Sequence, residues 1–504
     1  MASPQADGRV AVVHSSSGVS WLERLVFQSI ESLPVSKNRS RLEKLSTQSN
    51  QRDPQLPASP LRVAIIGAGP AGIYAADLLT KANAQVDLFE HLPAPFGLVR
   101  YGVAPDHPRI KQIIQALYKI LGHGSVRLFC NVNYGVDVTL ADLEEFYDAI
   151  IFATGTIKDA PTELPGAALP GSFGAADFVS WYDGHPDVPR TWPLTAKEVA
   201  VIGAGNVALD VSRILAKHAE DLLTTDIPDN VYQELAQSPV TDVHLFARRG
   251  PAQAKFTPLE LRELGEVRDV DIVVYPEDFE FDDGSFAAIE ASNQTKQVVK
   301  TLTDWTLIDP ATQQASRRIH LHFFKNPVAI LGTDKVTGIK TEQMELTGDG
   351  NVRGTGEFQE WPVQAVYRAI GYFGSPAQGL PFDDVHGVIP NSQGRVIGEN
   401  GAPLPRLYAT GWIKRGPVGL IGSTKSDALE TTKHLLADFA TERPAPQRDS
   451  NAITAFLTDR GVKYVDWAAF SRLDKHEIAL GQAAGRERIK VVPRDEMTDI
   501  ALGG

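Results

Sequence analysis

RVAIIGAGPAGIYAADLLTK (residues 62–81) decides the fold. Val63, Ala64, Ile65 and Ile66 form an apolar run too short for a buried helix but suited to a strand enclosed on both faces. The run passes straight into Gly67-x-Gly69-x-x-Gly72 and then into a helical pattern over 73–81. Gly67 allows the tight turn, Gly69 lets a pyrophosphate approach the backbone, and Gly72 lets strand and helix pack closely. The start of the helix offers unpaired N–H groups to the anion. The next strand-like run, Gln85-Val86-Asp87-Leu88-Phe89, ends at Glu90, 18 residues past Gly72, where an adenosine ribose needs an acceptor.

The same pattern returns at VAVIGAGNVALD (199–210), with Ala208 in place of the third glycine. Here the following strand, DVHLFA (242–247), ends in Arg248-Arg249-Gly250 instead of an acid. Two guanidiniums at that position suit a ribose 2′-phosphate, because they are always charged and donate bidentately; the plain alternative is a solvated basic turn. The first site is therefore expected to hold FAD and the second NADP(H). Two carriers in one chain imply hydride transfer between them.

Outward from these two centres, YDAIIFATG (147–155) and RLYATG (406–411) read as matching strands ending in small-residue turns, one on each side of the second fingerprint. The expected architecture is α/β, with two Rossmann-like, doubly wound dinucleotide-binding domains and the NADP domain inserted into the FAD domain. We expect the FAD domain at 61–160 and 374–504 and the NADP domain at 161–373. Residues 1–60, rich in Ser, Gln and Pro, read as a flexible extension with one helix near 21–32. Asp7, Glu23, Glu31 and Glu43 run against a transit peptide, so the expected location is the cytoplasm, with the mitochondrial matrix as the alternative.

The chain has 504 residues, 43% hydrophobic and 22% charged, enough for more than one core. A net charge of -13 argues against nucleic acid as a partner, and no apolar run is long enough to span a membrane. Cys130 is the sole cysteine, which excludes a redox-active Cys pair and an internal cysteine-ligated iron–sulfur cluster; no metal site is expected. It reads as a small buried apolar residue.

Two further strings are too particular for composition to explain: PFGLVRYGVAPDHP (95–108) and ATGWIKRGP (409–417). With the two fingerprints they make the chain resemble the adrenodoxin-reductase-type ferredoxin–NADP reductases over about 61–435. The resemblance implies that Ala71, Glu90, Leu98, Val132, Trp412, Gly419, Leu420 and Ile421 contact FAD, alongside the fingerprint glycines Gly67, Gly69 and Gly72. It likewise implies that Ala204, Gly205, Asn206, Val207, Arg248, Arg249, Glu260 and Gly419 contact NADP. Gly419 leaves room for a nicotinamide against the flavin, and Trp412 offers a flat wall or is ordinary core. Val418 departs from the family, in which Thr is usual.

The resemblance also implies that Glu263 pairs with His107, a candidate proton handler; the alternative is a histidine that only fixes a Pro-rich loop. Thr257 and Glu260 read as a capping box opening a helix at Pro258. Arg262, Arg268, Lys414 and Arg415 are the cations offered to a small acidic ferredoxin of 2Fe–2S or other iron–sulfur type, although each also fits a solvated face. The segment from Asn451 reads as closing elements of the flavin domain. The expected activity is transfer of hydride from NADPH to FAD and of single electrons to ferredoxin, reversible in principle. The alternative within enzymes is an NADPH-dependent flavin reductase or oxidase with a small-molecule or quinone acceptor. A subunit like the small subunit of glutamate synthase needs N-terminal cysteines that residues 1–60 lack, and a nucleotide sensor would show no flavin reduction.

Overall fold

A computed structural model describes residues 59–107, 113–419 and 422–504, with the backbone of residue 421. The expected N-terminal extension and its helix near 21–32 lie outside them, apart from Ser59 and Pro60.

Arg62–Ile66 is a strand buried throughout, followed by the helix Pro70–Lys81, which starts three residues before the periodicity suggests because Pro70 is preorganised for a first turn. Around that strand the chain builds a seven-stranded sheet in the order Asn391–Ser392, Arg395–Ile397, Pro403–Ala409, Ala149–Phe152, Arg62–Ile66, Gln85–Glu90, Val126–Cys130. The last five of these are parallel. Both faces are covered by apolar clusters, which is why their strands read as continuous hydrophobic runs.

A second, six-stranded sheet runs Ser172–Gly174, Ala365–Arg368, Glu198–Ile202, Asp242–Phe246, Arg317–His322, Val270–Val274, all parallel. One face carries helices, including Asn206–Ala216; the other is covered by the antiparallel strands Lys325–Leu331, Gly338–Leu346 and Val352–Trp361. In each sheet the fingerprint strand sits where strand order reverses, the crevice in which doubly wound sheets bind nucleotides.

The two crossings between the sheets pair with each other: Lys158–Asp159 lies antiparallel to Tyr372–Phe373. The C-terminal helices Trp467–Ala483 and Arg494–Leu502 pack into the core of the first sheet, with Phe470 edge-on to Phe96 and Trp467 against Tyr118.

Candidate active site

At the first fingerprint each glycine has a separate reason. Gly67 has φ +109, and a Cβ there would lie 2.4 Å from the Ala153 carbonyl oxygen, so turn and neighbouring strand touch backbone to backbone. A Cβ on Gly72 would lie 2.0 Å from the Gly67 oxygen, whereas one on Gly69 would meet nothing within 4 Å. Gly69 therefore opens onto the empty side of the turn, as a pyrophosphate cradle requires, and Gly205 does the same at the second fingerprint.

The carboxylate of Glu90 is buried and accepts from the Ala68 and Leu92 N–H groups at 2.8 and 3.1 Å, which ties the end of its strand to the glycine turn. Burial disfavours its charge, yet His91 at 2.8 Å and the two N–H groups hold its pKa below the usual carboxylate value. Ala71 and Val132 are buried beside it, Leu98 and Trp412 are half-buried, and the Trp412 ring lies 6.0 Å from that of Tyr372. The hydroxyl of Thr156, just past the turn at Gly155, is buried with no hydrogen-bond partner among the described residues. These residues fit an FAD.

At the second fingerprint Arg248 is exposed and Arg249 half-buried, and among the described residues neither guanidinium meets a carboxylate. Ala204, Gly205, Asn206 and Val207 are all partly exposed at the turn. Asn206 accepts from the Thr257 N–H at 2.8 Å, pinning the helix Pro258–Leu264 against the turn. That helix corrects the capping-box reading: Thr257 is the N-cap, but its hydroxyl caps nothing, and Glu260 turns away from it.

Glu260 goes to His107 instead. His107 Nε2 lies 2.8 Å from Asp210 Oδ1 and 2.8 Å from Glu260 Oε2, and Nδ1 lies 2.9 Å from Glu263. One Nε2–H cannot serve two oxygens; the aligned bond is to Asp210, and Glu260 Oε2 sits against the same nitrogen with no aligned donor among the described residues. Burial opposes charging His107, but the Asp210 and Glu260 carboxylates override it and push its pKa up to about 10. Burial also raises the Glu263 carboxyl, with His107 pulling the other way.

Asp106, next in sequence, does not join the histidine. It takes both Arg213 Nε and a terminal guanidinium nitrogen at 2.9 and 3.0 Å, with Lys217 at 2.9 Å, and is held well below the usual carboxylate range despite its burial. Sequence reading missed Asp210, Arg213 and Lys217, which follow one another at helical spacing behind the second fingerprint; that spacing was the available signal. His107, Glu260 and Glu263 also converge as metal ligands would, but Arg213 already supplies the cation there.

Gly419 has φ +85, a backbone conformation that favours glycine whatever stacks on it, and a Cβ there would also push the Ser423 hydroxyl aside. Leu420 and the side chain of Ile421 lie outside the described residues. Of the four proposed docking cations, Lys414 is buried and paired with Asp427 and Glu430, Arg268 is paired with Asp221, and Arg415 is engaged with Asp427, Ser423 and the Val418 carbonyl. Lys414 is therefore no surface group; only Arg262 is exposed with no partner among the described residues. Cys130 is buried and unpaired, and its thiol is pushed well up by burial.

Two glycine fingerprints, each on a run of parallel strands, one followed by a strand ending in an acid and one by a strand ending in paired arginines, define the class: flavoprotein oxidoreductases that bind two dinucleotides. The pyridine nucleotide-disulphide oxidoreductase family matches residues 61–250, although a single cysteine leaves no disulfide chemistry here. NADPH-ferredoxin reductase FprA of Mycobacterium leprae is 41% identical over 88% of this chain and 98% of its own. The mitochondrial NADPH:adrenodoxin oxidoreductase of Arabidopsis thaliana is 35% identical over 87% and 95%. The structure of Mycobacterium tuberculosis FprA in complex with NADPH superposes with a TM-score of 0.81 at 39% identity, covering 88% of this chain and all of that one. The chain belongs to this family of FAD-dependent NADPH-ferredoxin and adrenodoxin reductases.

Proposed function

We propose that this protein is a ferredoxin–NADP reductase that carries electrons from NADPH through FAD to a small acidic iron–sulfur ferredoxin. The observation that carries the reading is the asymmetry of the two strand ends: Glu90 buried on the first, and Arg248 and Arg249 without carboxylate partners among the described residues on the second. When bound, FAD accepts a hydride and gives up its electrons singly. The chain supplies binding and orientation. Gly67, Gly69, Ala71 and Gly72 cradle the first pyrophosphate, Glu90 takes the ribose with Val132 beside it, and Leu98, Trp412 and Gly419 wall the ring. Ala204 to Val207 cradle the second pyrophosphate, Arg248 and Arg249 take the 2′-phosphate, and Glu260 and Gly419 line the nicotinamide side. His107, charged at neutral pH, donates a proton when one is needed, and Glu263, whose carboxyl is raised, exchanges it.

The domain boundaries proposed are those near 160 and 374, where the two crossing strands pair. Among the described residues no helix is long and apolar enough to cross a membrane, and the family has bacterial and mitochondrial relatives; we place this chain in the cytoplasm. The second reading, an NADPH-dependent reductase with a small-molecule or quinone acceptor, is favoured by one observation: three of the four candidate docking cations are already paired.

The test is steady-state NADPH oxidation with ferredoxins from the source organism across a salt series. Rates that fall as salt rises support docking through local charges, because screening acts over about 8 Å at physiological ionic strength. If no ferredoxin is reduced faster than an unrelated dye at any salt, the second reading replaces the first.

A further inference from the structure

Asp427, on the helix Ile421–Asp438, reaches the segment 410–419 from below and holds it at several points. Its Oδ2 accepts from the Gly411 N–H at 2.5 Å and from the Thr410 hydroxyl at 3.0 Å. Its Oδ1 lies 3.0 Å from Lys414 Nζ and 3.4 Å from Arg415. Arg415 in turn donates from Nε to the Val418 carbonyl at 3.0 Å and from a terminal nitrogen to Ser423 at 3.4 Å.

The inner side of the segment is anchored separately: Ile413 is buried in the core and its carbonyl accepts from the Ile389 N–H at 2.8 Å, the Lys414 carbonyl accepts from Asn391 at 2.9 Å, and Lys414 also pairs with Glu430. Asp427 is what ties the Trp412 turn to the loop 415–419. Trp412 sits in a four-residue helical turn, Trp412–Arg415, bounded by Gly411 and Gly416 at φ +78 and +76. So short a turn has almost no stability of its own. A Cβ at Gly411 would lie 2.6 Å from that of Ala71, so the segment leans directly on the first fingerprint helix and its height there depends on what holds it from behind.

We propose that Asp427 is a positioning residue for hydride transfer: its one carboxylate sets the placement of Trp412 through Gly411 and Thr410, and that of Gly419 through Arg415 and Val418. The two sides of the reaction, flavin wall and nicotinamide wall, are thereby held by a single group that touches neither. This rests on the reading of Trp412 and Gly419 as ring contacts. Buried ion pairs are rarely strong stabilisers, but they define geometry well, because each charge has one set of partners that satisfies it.

Asp427→Asn keeps an oxygen for Gly411 but loses the charge that orients Arg415, whereas Lys414 retains Glu430. The variant is expected to retain FAD, since residues 62–90 are untouched, while emission of the bound flavin rises as Trp412 moves off. Flavin reduction at saturating NADPH, followed by stopped flow, should slow about ten- to a hundredfold, the usual cost of a misplacement near 1 Å. Arg415→Met should raise KM for NADPH and alter the absorbance of the NADP-bound enzyme, yet leave flavin emission in the free enzyme unchanged. Trp412→Phe, measured in parallel, tests the underlying reading. If Trp412→Phe changes flavin emission but Asp427→Asn does not, and reduction stays at the wild-type rate, the positioning role is wrong and the wall assignment stands. If Trp412→Phe is also silent, both are wrong. Should Asp427→Asn fail to accumulate, an Arg415→Met enzyme with wild-type KM and absorbance is sufficient to overturn the proposal.

Discussion

Arg248 and His107 are both cationic residues at the second nucleotide site, but their surroundings make them respond to different things. Arg248 has no carboxylate partner among the described residues, so its charge is available to a ligand. Replacing Arg248 and Arg249 with Ala should weaken NADPH far more than NADH, by about 1.5–3 kcal/mol or roughly ten- to a hundredfold for each charge-assisted bond lost. Flavin content should not change; equal losses for both nucleotides in steady-state kinetics would mean the pair only supports the fold. His107 is already committed. Its pKa is raised from 6.5 to about 10, so its stabilisation is complete below pH 6.5 and is lost as pH rises through about 10. His107→Gln should therefore cost stability on the order of a few kcal/mol near pH 6, with the Tm gap to wild type narrowing steadily towards pH 10. A gap that does not vary with pH would show that the imidazole is not charged in the fold.

Between elements, the paired strands Asp242–Phe246 and Arg317–His322 place three imidazoles on one face of the second sheet. His244 stacks on His320 with ring centroids 4.5 Å apart, His244 Nδ1 lies 3.0 Å from His322 Nε2, and Trp361 from the covering sheet packs on His322. The three rings are near-parallel, and one nitrogen from each lies within 4.8 Å of the others. Burial pushes His244 down to about 4 and His322 to about 2, each reinforced by neighbouring histidines, and lowers His320 as well. Depressed pKa values mean the unfolded chain takes up protons first: stability holds above pH 6.5 and declines as pH falls towards 4 and below. Acid titration followed by circular dichroism should find wild type unfolding at higher pH than a His244→Phe/His322→Phe double variant; identical midpoints would remove the histidines from the acid limit.

For the molecule as a whole, the C-terminal stretch does more than close the flavin half. Lys490, only 4% exposed, reaches the Arg100 carbonyl on one side and the Asp183 carbonyl and Asp226 carboxylate on the other. Arg494 bonds the His91 carbonyl and Asp187, and Arg486 pairs with Asp229. These cations join residues of the two sheets' surroundings, so Lys490→Met should destabilise by about 3–5 kcal/mol, the range for removing one member of a buried charged pair. Denaturant unfolding should then split into two transitions where wild type shows one. A single transition at the wild-type midpoint would show that the crossing strands alone couple the halves.

The sequence by itself determined the two dinucleotide folds and their order, because glycine spacing and strand-end chemistry are local consequences of what backbone and phosphate require. It also singled out Glu90, Arg248 and Arg249, because position at the end of a strand is legible in the chain. Tertiary structure alone decided the partners of charge. Asp106 is adjacent to His107 in sequence yet bonds Arg213 more than a hundred residues away; Glu260 sits at a capping position and serves His107 instead; Lys414, legible as a surface cation, is buried against Asp427. A carboxylate's neighbour is set by which faces of distant elements meet, and burial then makes that one pairing far better than any alternative. Spacing encodes only pairs within one helix, such as Asp210 with Arg213, and none of these long-range ones.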